Sequence, residues 1–282
     1  MSAGHRYVLL DVFTDTPLEG NQLAVFTDAA ALSGREMQRL ALELNLAETV
    51  FVLAPERGGD ARIRIFTVSV ELPFAGHPTL GSAVALGAER DREQVTLETG
   101  AGLVRVALRE RARRRAYGSM LQPIPSWERY ERPAELLAAL GVERSRLPVE
   151  RYVNGPAHVY VELDSEAAVA ALAPDLQALG RLGEIAVSCF AGAGGRWKTR
   201  MFAPGLGVAE DPATGSAAGP LAVHLARHGR IAFGEEIEIS QGAELRRPSL
   251  LRARALGSTR SIERVEVGGW AVIVAEGAFA LG

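Results

Sequence analysis

An acidic pair lies directly before a turn of small residues and an apolar pattern with helical spacing. Glu210 and Asp211 precede this turn, and proline after Asp211 favours an extended conformation for it. Thr214, Gly215 and Ser216 fit the first residues of the helix, where Ser or Thr can cap and glycine lets a ligand approach. Free N–H groups and the positive helix-dipole end bind carboxylates or oxyanions there. The stretch therefore predicts either a site that binds a small acid and transfers one of its protons, or an ordinary capped helix.

A further acidic residue lies between apolar neighbours at the expected entrance of a strand. Glu48 is followed by Thr-Val-Phe-Val, and Leu46 precedes it. Burial at this position would desolvate the carboxylate and raise its pKa, as suits a general base. The same position also suits a solvated residue at the edge of a strand. Taken by itself, Glu48 favours the edge-residue interpretation.

Gly76-His77-Pro78 begins a second apolar helical pattern. Proline suits the first turn of a helix, which places His77 at the N-cap. The helix dipole should lower the pKa of this histidine and keep it neutral, although a purely local capping role fits as well. His77 and Ser216 thus each mark a helix start. Two helix starts facing each other across a cleft would surround a small anionic ligand.

Two similar sets of elements must position these residues. The predicted strands are residues 7–13, 22–26, 63–66, 95–97, 103–108, 159–163 and 185–190, and the other predicted helices begin at Ser33, Pro133 and Ser165. The Pro-rich stretch 122–126 restarts the pattern and predicts a domain boundary. We therefore expect one domain over residues 1–125 and another over 126–282, with the last strand able to cross back to the first. The glycine cluster at 191–195 fits no nucleotide-binding motif and predicts a tight hairpin or a backbone approach to ligand.

The composition is that of an ordinary globular protein. The 282 residues are 48% hydrophobic and carry a net charge of -3, which argues against disorder and against a nucleic-acid partner. The basic run at 109–115 has no aromatic residues to stack on bases, so we interpret it as a solvated hairpin tip. No apolar run approaches the roughly 20 residues that cross a bilayer, and no signal segment is evident. We expect a cytoplasmic protein without a membrane partner.

The sequence offers few ligands for a metal. Its one cysteine, Cys189, excludes an intramolecular disulfide and a Cys-rich metal site. Among five histidines, only His224 and His228 form a helical i, i+4 pair. No third ligand is evident, so we interpret the pair as a surface or packing feature and predict that neither metal nor cofactor is required.

Segments along nearly the whole chain resemble those of one enzyme family. They are residues 17–21, 45–49, 71–78, 201–204, 210–220, 225–229 and 241–250. The chain is similar to the PhzF family of phenazine-biosynthesis isomerases, in the diaminopimelate epimerase-like superfamily. The Gly-His-Pro and Asp-Pro-Ala-Thr-Gly-Ser segments are shared across the broader PhzF-like group. Residues 154–156, 189–194 and 247–250 are closer to the phenazine enzymes themselves.

The resemblance implies an α+β fold of two pseudo-symmetric domains, each a curved, mostly antiparallel sheet or barrel around a central helix. It also implies a homodimer without cofactor, whose active site lies in the cleft between the domains. The implied substrate is a small cyclic amino acid, trans-2,3-dihydro-3-hydroxyanthranilate, which is isomerised to a ketone.

The resemblance further implies roles for individual residues. Glu48 would take the proton from C3 of the substrate and return one at C1. His77, Asp211 and Ser216 would hold its carboxylate, amine and hydroxyl groups. Gly76 and Gly215 would contribute to substrate binding at the two helix starts.

Two other functions remain open at this stage. One is a PhzF-like isomerase that uses the same Glu48 chemistry on another small amino or hydroxy acid. The other is a non-catalytic protein that binds a small acid, although a pure binder has no need for a carboxylate facing an anion. Epimerase relatives use two thiols, and a single cysteine excludes that chemistry here.

Overall fold

The computed structural model describes residues 4–112 and 114–281, without the side chains of residues 89 and 90. Arg113, at the predicted hairpin tip, lies outside the described residues. Contacts between residues divide the chain into Met1–Leu121 with Gly268–Gly282, here called unit 1, and Gln122–Val267, here called unit 2. This division falls after Leu121, whereas the predicted boundary falls after residue 125.

Among the described residues, unit 1 contains nine strands, and eight of them form a barrel around a helix. Its strands are β1 (His5–Val12), β2 (Asn21–Phe26), β3 (Glu48–Leu53), β4 (Ala61–Phe66), β5 (Glu71–Leu72), β6 (Gln94–Thr99), β7 (Gly102–Ala112), β8 (Arg115–Gln122) and the end of β17 (Ile262–Phe279). Neighbours around the barrel run β17, β1, β2, β3, β4, β6, β7, β8 and back to β17, while the short β5 pairs with β4. The described pairs are antiparallel except β2 with β3 and β4 with β6.

The helices of unit 1 begin where local signals predict. Helix α1 (Gly34–Leu44) begins at the predicted residue Ser33, which forms a capping box with Glu36, and it ends at Asn45 in the left-handed conformation. Helix α2 (Gly76–Arg90) contacts β1, β2, β3, β6 and β7. Gly81 permits this packing, since a Cβ there would lie 2.5 Å from Leu23. The barrel therefore holds α2 at its centre and fixes the direction of its first turn.

Unit 2 contains a second, mostly antiparallel sheet packed on a buried helix. Its strands are β9 (Ser126–Arg129), β10 (Glu150–Val153), β11 (Ala157–Glu162), β12 (Ala186–Ala193), β13 (Arg196–Ala203), β14 (Val208–Asp211), β15 (Glu236–Gln241), β16 (Ser249–Gly257) and the start of β17. Its α-helices are α3 (Pro133–Leu140), α4 (Glu166–Ala170), α5 (Leu176–Gly180) and α6 (Gly215–Arg227), and short 3₁₀ turns lie at Pro204–Leu206 and Ala243–Leu245. Ser165, the predicted start of a helix, is the N-cap of α4. The glycine cluster forms the predicted hairpin between β12 and β13.

The order of pairings in unit 2 repeats that of unit 1. Strands β9 to β13 pair antiparallel, antiparallel, parallel and antiparallel, as β17, β1, β2, β3 and β4 do. Strand β14 then pairs with β13 before α6, as β5 pairs with β4 before α2. The predicted α+β class, with a curved, mostly antiparallel sheet and one central helix in each unit, is confirmed.

Alternating side chains of β10 and β11 separate an apolar face from a polar face. Val159 and Val161 belong to an apolar core with Leu136, Cys189 and Phe202. Side chains point alternately to the two faces of a strand. The residues of β10 and β11 that alternate with this apolar set, together with Asn154 directly after β10, therefore face α6. They are Glu150, Tyr152, Asn154, His158, Tyr160 and Glu162. Five of these side chains form hydrogen bonds with α6 and thereby fix its position (Glu150, Tyr152, Asn154, His158 and Tyr160).

Candidate functional site

Glu48 and His77 lie together in unit 1. Glu48 is the first residue of β3, and its side chain is 17% exposed. Its Oε2 lies 3.4 Å from Nε2 of His77, whose side chain is almost fully buried. Thr49, Val50 and Phe51, directly after Glu48, are also buried. The carboxylate thus lies at the border between an apolar barrel interior and solvent, as a base that must exchange protons with a ligand requires. The raised pKa of Glu48 stays a prediction.

His77 is not the N-cap of its helix, so this prediction is wrong. Ala75 is the N-cap, Gly76 is the first helical residue and His77 is the second. Pro78 allows this shift because the first four N–H groups of a helix need no partner inside it. Burial lowers the pKa of His77 to about 3, although a hydrogen bond with the Gln22 backbone acts in the opposite direction. The predicted neutral imidazole is confirmed, and burial is its main cause.

In unit 2, the two members of the acidic pair have different surroundings. Glu210 has a structural role, because both of its carboxylate oxygens accept hydrogen bonds of 2.8 Å from Arg200. The Arg200 guanidinium also donates to the Leu172 carbonyl at 2.7 Å. Asp211 ends β14 and accepts a hydrogen bond of 2.6 Å from the Thr214 hydroxyl. Asp211 is therefore the candidate for ligand binding, and Glu210 anchors the strand that carries it.

Gln241 holds the turn between Asp211 and α6. Its Nε2 donates to the Asp211 carbonyl at 2.7 Å and to the Thr214 Oγ1 at 3.0 Å. Its Oε1 accepts from the Thr199 hydroxyl at 3.1 Å. Gln241 is 4% exposed, so these bonds replace contacts with water. Local sequence motifs do not predict this function, because Gln241 is thirty residues from Asp211 along the chain.

Ser216 occupies the same place in α6 as His77 does in α2. Thr214 is the N-cap, Gly215 the first helical residue and Ser216 the second. The Ser216 side chain is buried, and its Oγ lies 3.1 Å from Nε2 of His158. Gly76 and Gly215 are thus the first residues of the two helices, at the ends where N–H groups are free of helical partners.

Three side chains hold the carbonyl groups of the first turn of α6. Gln122 donates to the Gly215 carbonyl at 2.8 Å, Asn154 to Ser216 at 3.0 Å and Tyr160 to Ala217 at 2.7 Å. Pro220 has no N–H for the Ser216 carbonyl four residues earlier, so Asn154 supplies the missing donor. Gly219 admits Gln122, since a Cβ there would lie 2.3 Å from its Oε1. Alternate polar residues in a strand next to Asn-Gly-Pro were the available signal for this network.

The thiol of Cys189 is not part of either candidate region. It is fully buried in the apolar core of unit 2, and burial raises its pKa to about 12. Thiolate is the reactive form of cysteine. Acid–base chemistry by this thiol is therefore excluded at neutral pH.

His224 and His228 have a third potential ligand that was not predicted from the sequence. Among the described residues, they form with Glu150 one group whose candidate ligand atoms lie within 4.8 Å of one another. His224 is fully buried, so of the two predicted interpretations of this residue the packing feature holds and the surface feature does not. Its ring stacks on Tyr160 with 5.6 Å between ring centroids.

The Glu150 carboxylate is bound by one guanidinium group, one phenol hydroxyl and two imidazole groups of the protein. Glu150 Oε2 lies 2.6 Å from Arg227 Nη1, 2.8 Å from the Tyr152 hydroxyl, 3.3 Å from His224 Nδ1 and 3.2 Å from His228 Nε2. Burial by itself raises the pKa of Glu150, but hydrogen bonds from these four groups outweigh burial and hold the pKa far below its usual value. A metal ion would compete with the Arg227 guanidinium for this oxygen, so the arrangement is that of an internal ion-pair cluster.

Within residues 4–112 and 114–281, no helix combines the length and apolar character needed to cross a membrane.

Known proteins resemble this chain over nearly its full length. The family described as "Phenazine biosynthesis-like protein" matches residues 10–277. The trans-2,3-dihydro-3-hydroxyanthranilate isomerase of Pseudomonas aeruginosa is 56% identical over 273 residues, which cover 97% of this chain and 98% of that protein. The enzyme of the same name from Pseudomonas chlororaphis is 54% identical and covers 98% of this chain and 100% of its own length. The crystal structure of a Bacillus anthracis phenazine biosynthesis protein of the PhzF family is 24% identical, with a TM-score of 0.85 over 99% of this chain and 100% of that one.

Proposed function

Because the chain belongs to the phenazine biosynthesis-like protein family, we propose that it is a trans-2,3-dihydro-3-hydroxyanthranilate isomerase. The observation that carries the proposal is 56% identity to an enzyme of that name across 97% of the chain. The local geometry supports it, since a carboxylate beside a neutral imidazole and a hydroxyl at a helix start suit proton transfer on a small acid. Neither thiol chemistry nor a nucleotide motif competes with this assignment.

Glu48 is the acid–base residue in the proposed reaction. Its carboxylate takes the proton from C3 of the substrate, and the electrons of the broken C–H bond spread through the conjugated double bonds towards the substrate carboxylate. The Glu48 carboxyl then returns a proton to C1, and the resulting enol tautomerises to the ketone. One base suffices because the proton leaves and returns on the same face of the ring.

The other candidate residues hold the polar groups of the substrate. Asp211 accepts hydrogen bonds only, so it suits the amine or the hydroxyl group. His77 is a polar partner beside Glu48. Because its imidazole is neutral, it does not hold the Glu48 carboxylate permanently in the charged form. The helix starts at Gly76 and Gly215 stabilise negative charge as it develops on the substrate carboxylate.

Conversion of the pure substrate tests the proposed function. We expect the purified protein to change the ultraviolet absorbance of trans-2,3-dihydro-3-hydroxyanthranilate, without added metal or nucleotide. In heavy water the product should carry deuterium at C1, at less than full occupancy if Glu48 returns the proton that it took.

An unchanged absorbance would contradict the proposal. Conversion of another small amino or hydroxy acid would then support the alternative isomerase. Binding of the substrate without conversion would support the non-catalytic small-acid binder.

We also propose that the protein is a homodimer, by analogy with the family. Light scattering at micromolar concentration should give twice the 30.1 kDa mass of the chain. The single-chain mass at that concentration would contradict a stable dimer.

A further inference from the structure

His158 contacts Ser216 from the adjacent sheet. It lies in β11, on the face that packs against α6, and its Nε2 is 3.1 Å from Ser216 Oγ. His158 is 1% exposed, and its Nδ1 is buried without a hydrogen-bond partner among the described residues. Ser216 Oγ is thus the partner that the structure gives this imidazole, and His158 has no role in the proton transfer proposed above.

The surroundings of the ring determine which of its nitrogens carries the proton. Burial lowers the pKa of His158 to about 3, so the ring is neutral at working pH and has one N–H. If Nδ1 carried that proton, the structure would bury an N–H donor without an acceptor, which folded proteins avoid more strictly than an unpaired acceptor. With the proton on Nε2, the N–H instead donates to Ser216 Oγ.

The backbone of Ser216 is fixed independently of its side chain. Asn154 donates to the Ser216 carbonyl at 3.0 Å, because Pro220 cannot. The hydroxyl oxygen is therefore held between a fixed backbone and the His158 ring. The hydroxyl hydrogen can still rotate about the Cβ–Oγ bond.

We propose that His158 is a positioning residue that donates from Nε2 to Ser216 Oγ and so reserves the Ser216 proton for an oxygen of the substrate carboxylate. This assignment rests on the proposed isomerase function. It distinguishes Ser216, a donor to the oxygen where negative charge develops, from Asp211, which can only accept. Without His158, the hydroxyl would be free to turn its proton away from the substrate.

The tautomer can be measured without substrate. In protein labelled with ¹⁵N-histidine, the His158 resonances are those missing from the spectrum of His158→Gln. We expect long-range ¹H–¹⁵N correlations to show a neutral ring protonated on Nε2. A ring protonated on Nδ1, or an imidazolium at neutral pH, would overturn the proposal whether or not the protein is an isomerase.

Amide substitutions test the positioning role kinetically. The amide nitrogen of glutamine can reach the place of Nε2, whereas that of asparagine corresponds to Nδ1. We expect His158→Asn to lower kcat about tenfold, as befits the loss of one buried hydrogen bond, and His158→Gln to retain most of the activity. Equal losses in the two variants, with thermal unfolding unchanged, would contradict a role for the Nε2 donor.

A double-mutant cycle shows whether His158 acts through Ser216. In a Ser216→Ala background, His158→Asn should change kcat less than twofold, because the hydroxyl that it orients is gone. A further tenfold loss in that background would overturn the proposal. If the wild-type protein does not convert the substrate at all, the proposed function fails, and the tautomer measurement still decides the His158–Ser216 bond.

Discussion

Glu48→Gln should lower the turnover of trans-2,3-dihydro-3-hydroxyanthranilate by about 10² to 10⁴, the usual contribution of general acid–base catalysis. The amide keeps the size and polarity of the side chain beside His77 but cannot accept the C3 proton. Substrate affinity should change little, since binding is assigned to other residues. Steady-state kcat and a dissociation constant from ligand titration would separate the two effects.

Matched substitutions distinguish loss of the base from general damage. Glu43→Gln makes the same chemical change at an exposed position of α1 and should leave turnover unchanged. His77→Ala and Asp211→Asn should instead weaken binding as well as turnover, because these residues orient the ligand. Wild-type turnover in Glu48→Gln would mean that another residue is the base, and Asp211 would be the first to test.

Local signals were sufficient where a feature depends on neighbours in sequence. The capping box at Ser33 and the left-handed Asn45 fix the two ends of α1, and the start of this helix at Ser33 was predicted. The start of α2 was misplaced by two residues, because proline is tolerated throughout the first turn of a helix. Candidate residues at helix starts were found because short motifs surround them.

Residues whose function depends on strand pairing were missed. His158 and Asn154 act on Ser216 across about sixty positions of sequence, and Glu150 reaches His224 across more than seventy. A lone polar residue in a short strand gives no sign of which helix it will face. The repeated order of strand pairings in the two units shows why these residues meet α6, but that order is fixed by long-range hydrogen bonds.

The Glu150 cluster should contribute strongly to stability by holding β10 to α6. Glu150 is 9% exposed in its side chain and Arg227 is 17% exposed, so the charges are largely removed from water. Removing one partner of a buried pair leaves the other charge uncompensated and typically costs about 3 to 5 kcal/mol. Glu150→Gln should therefore lower the free energy of unfolding by about 3 kcal/mol in urea denaturation at pH 7. Glu128→Gln breaks an exposed pair with Arg151 and should cost less than about 1 kcal/mol.

The difference between wild type and Glu150→Gln should also depend on pH. The folded-state pKa of Glu150 is held far below the ordinary value of 4.5, so the unfolded chain binds the proton first as pH falls. The stabilisation is therefore complete above that ordinary value and is lost progressively below it. Urea unfolding at pH 7 and at pH 3 should show a smaller difference between the two proteins at the lower pH. An equal difference at both pH values, or one no larger than that of Glu128→Gln, would mean that the ionised carboxylate is not what holds β10 to α6.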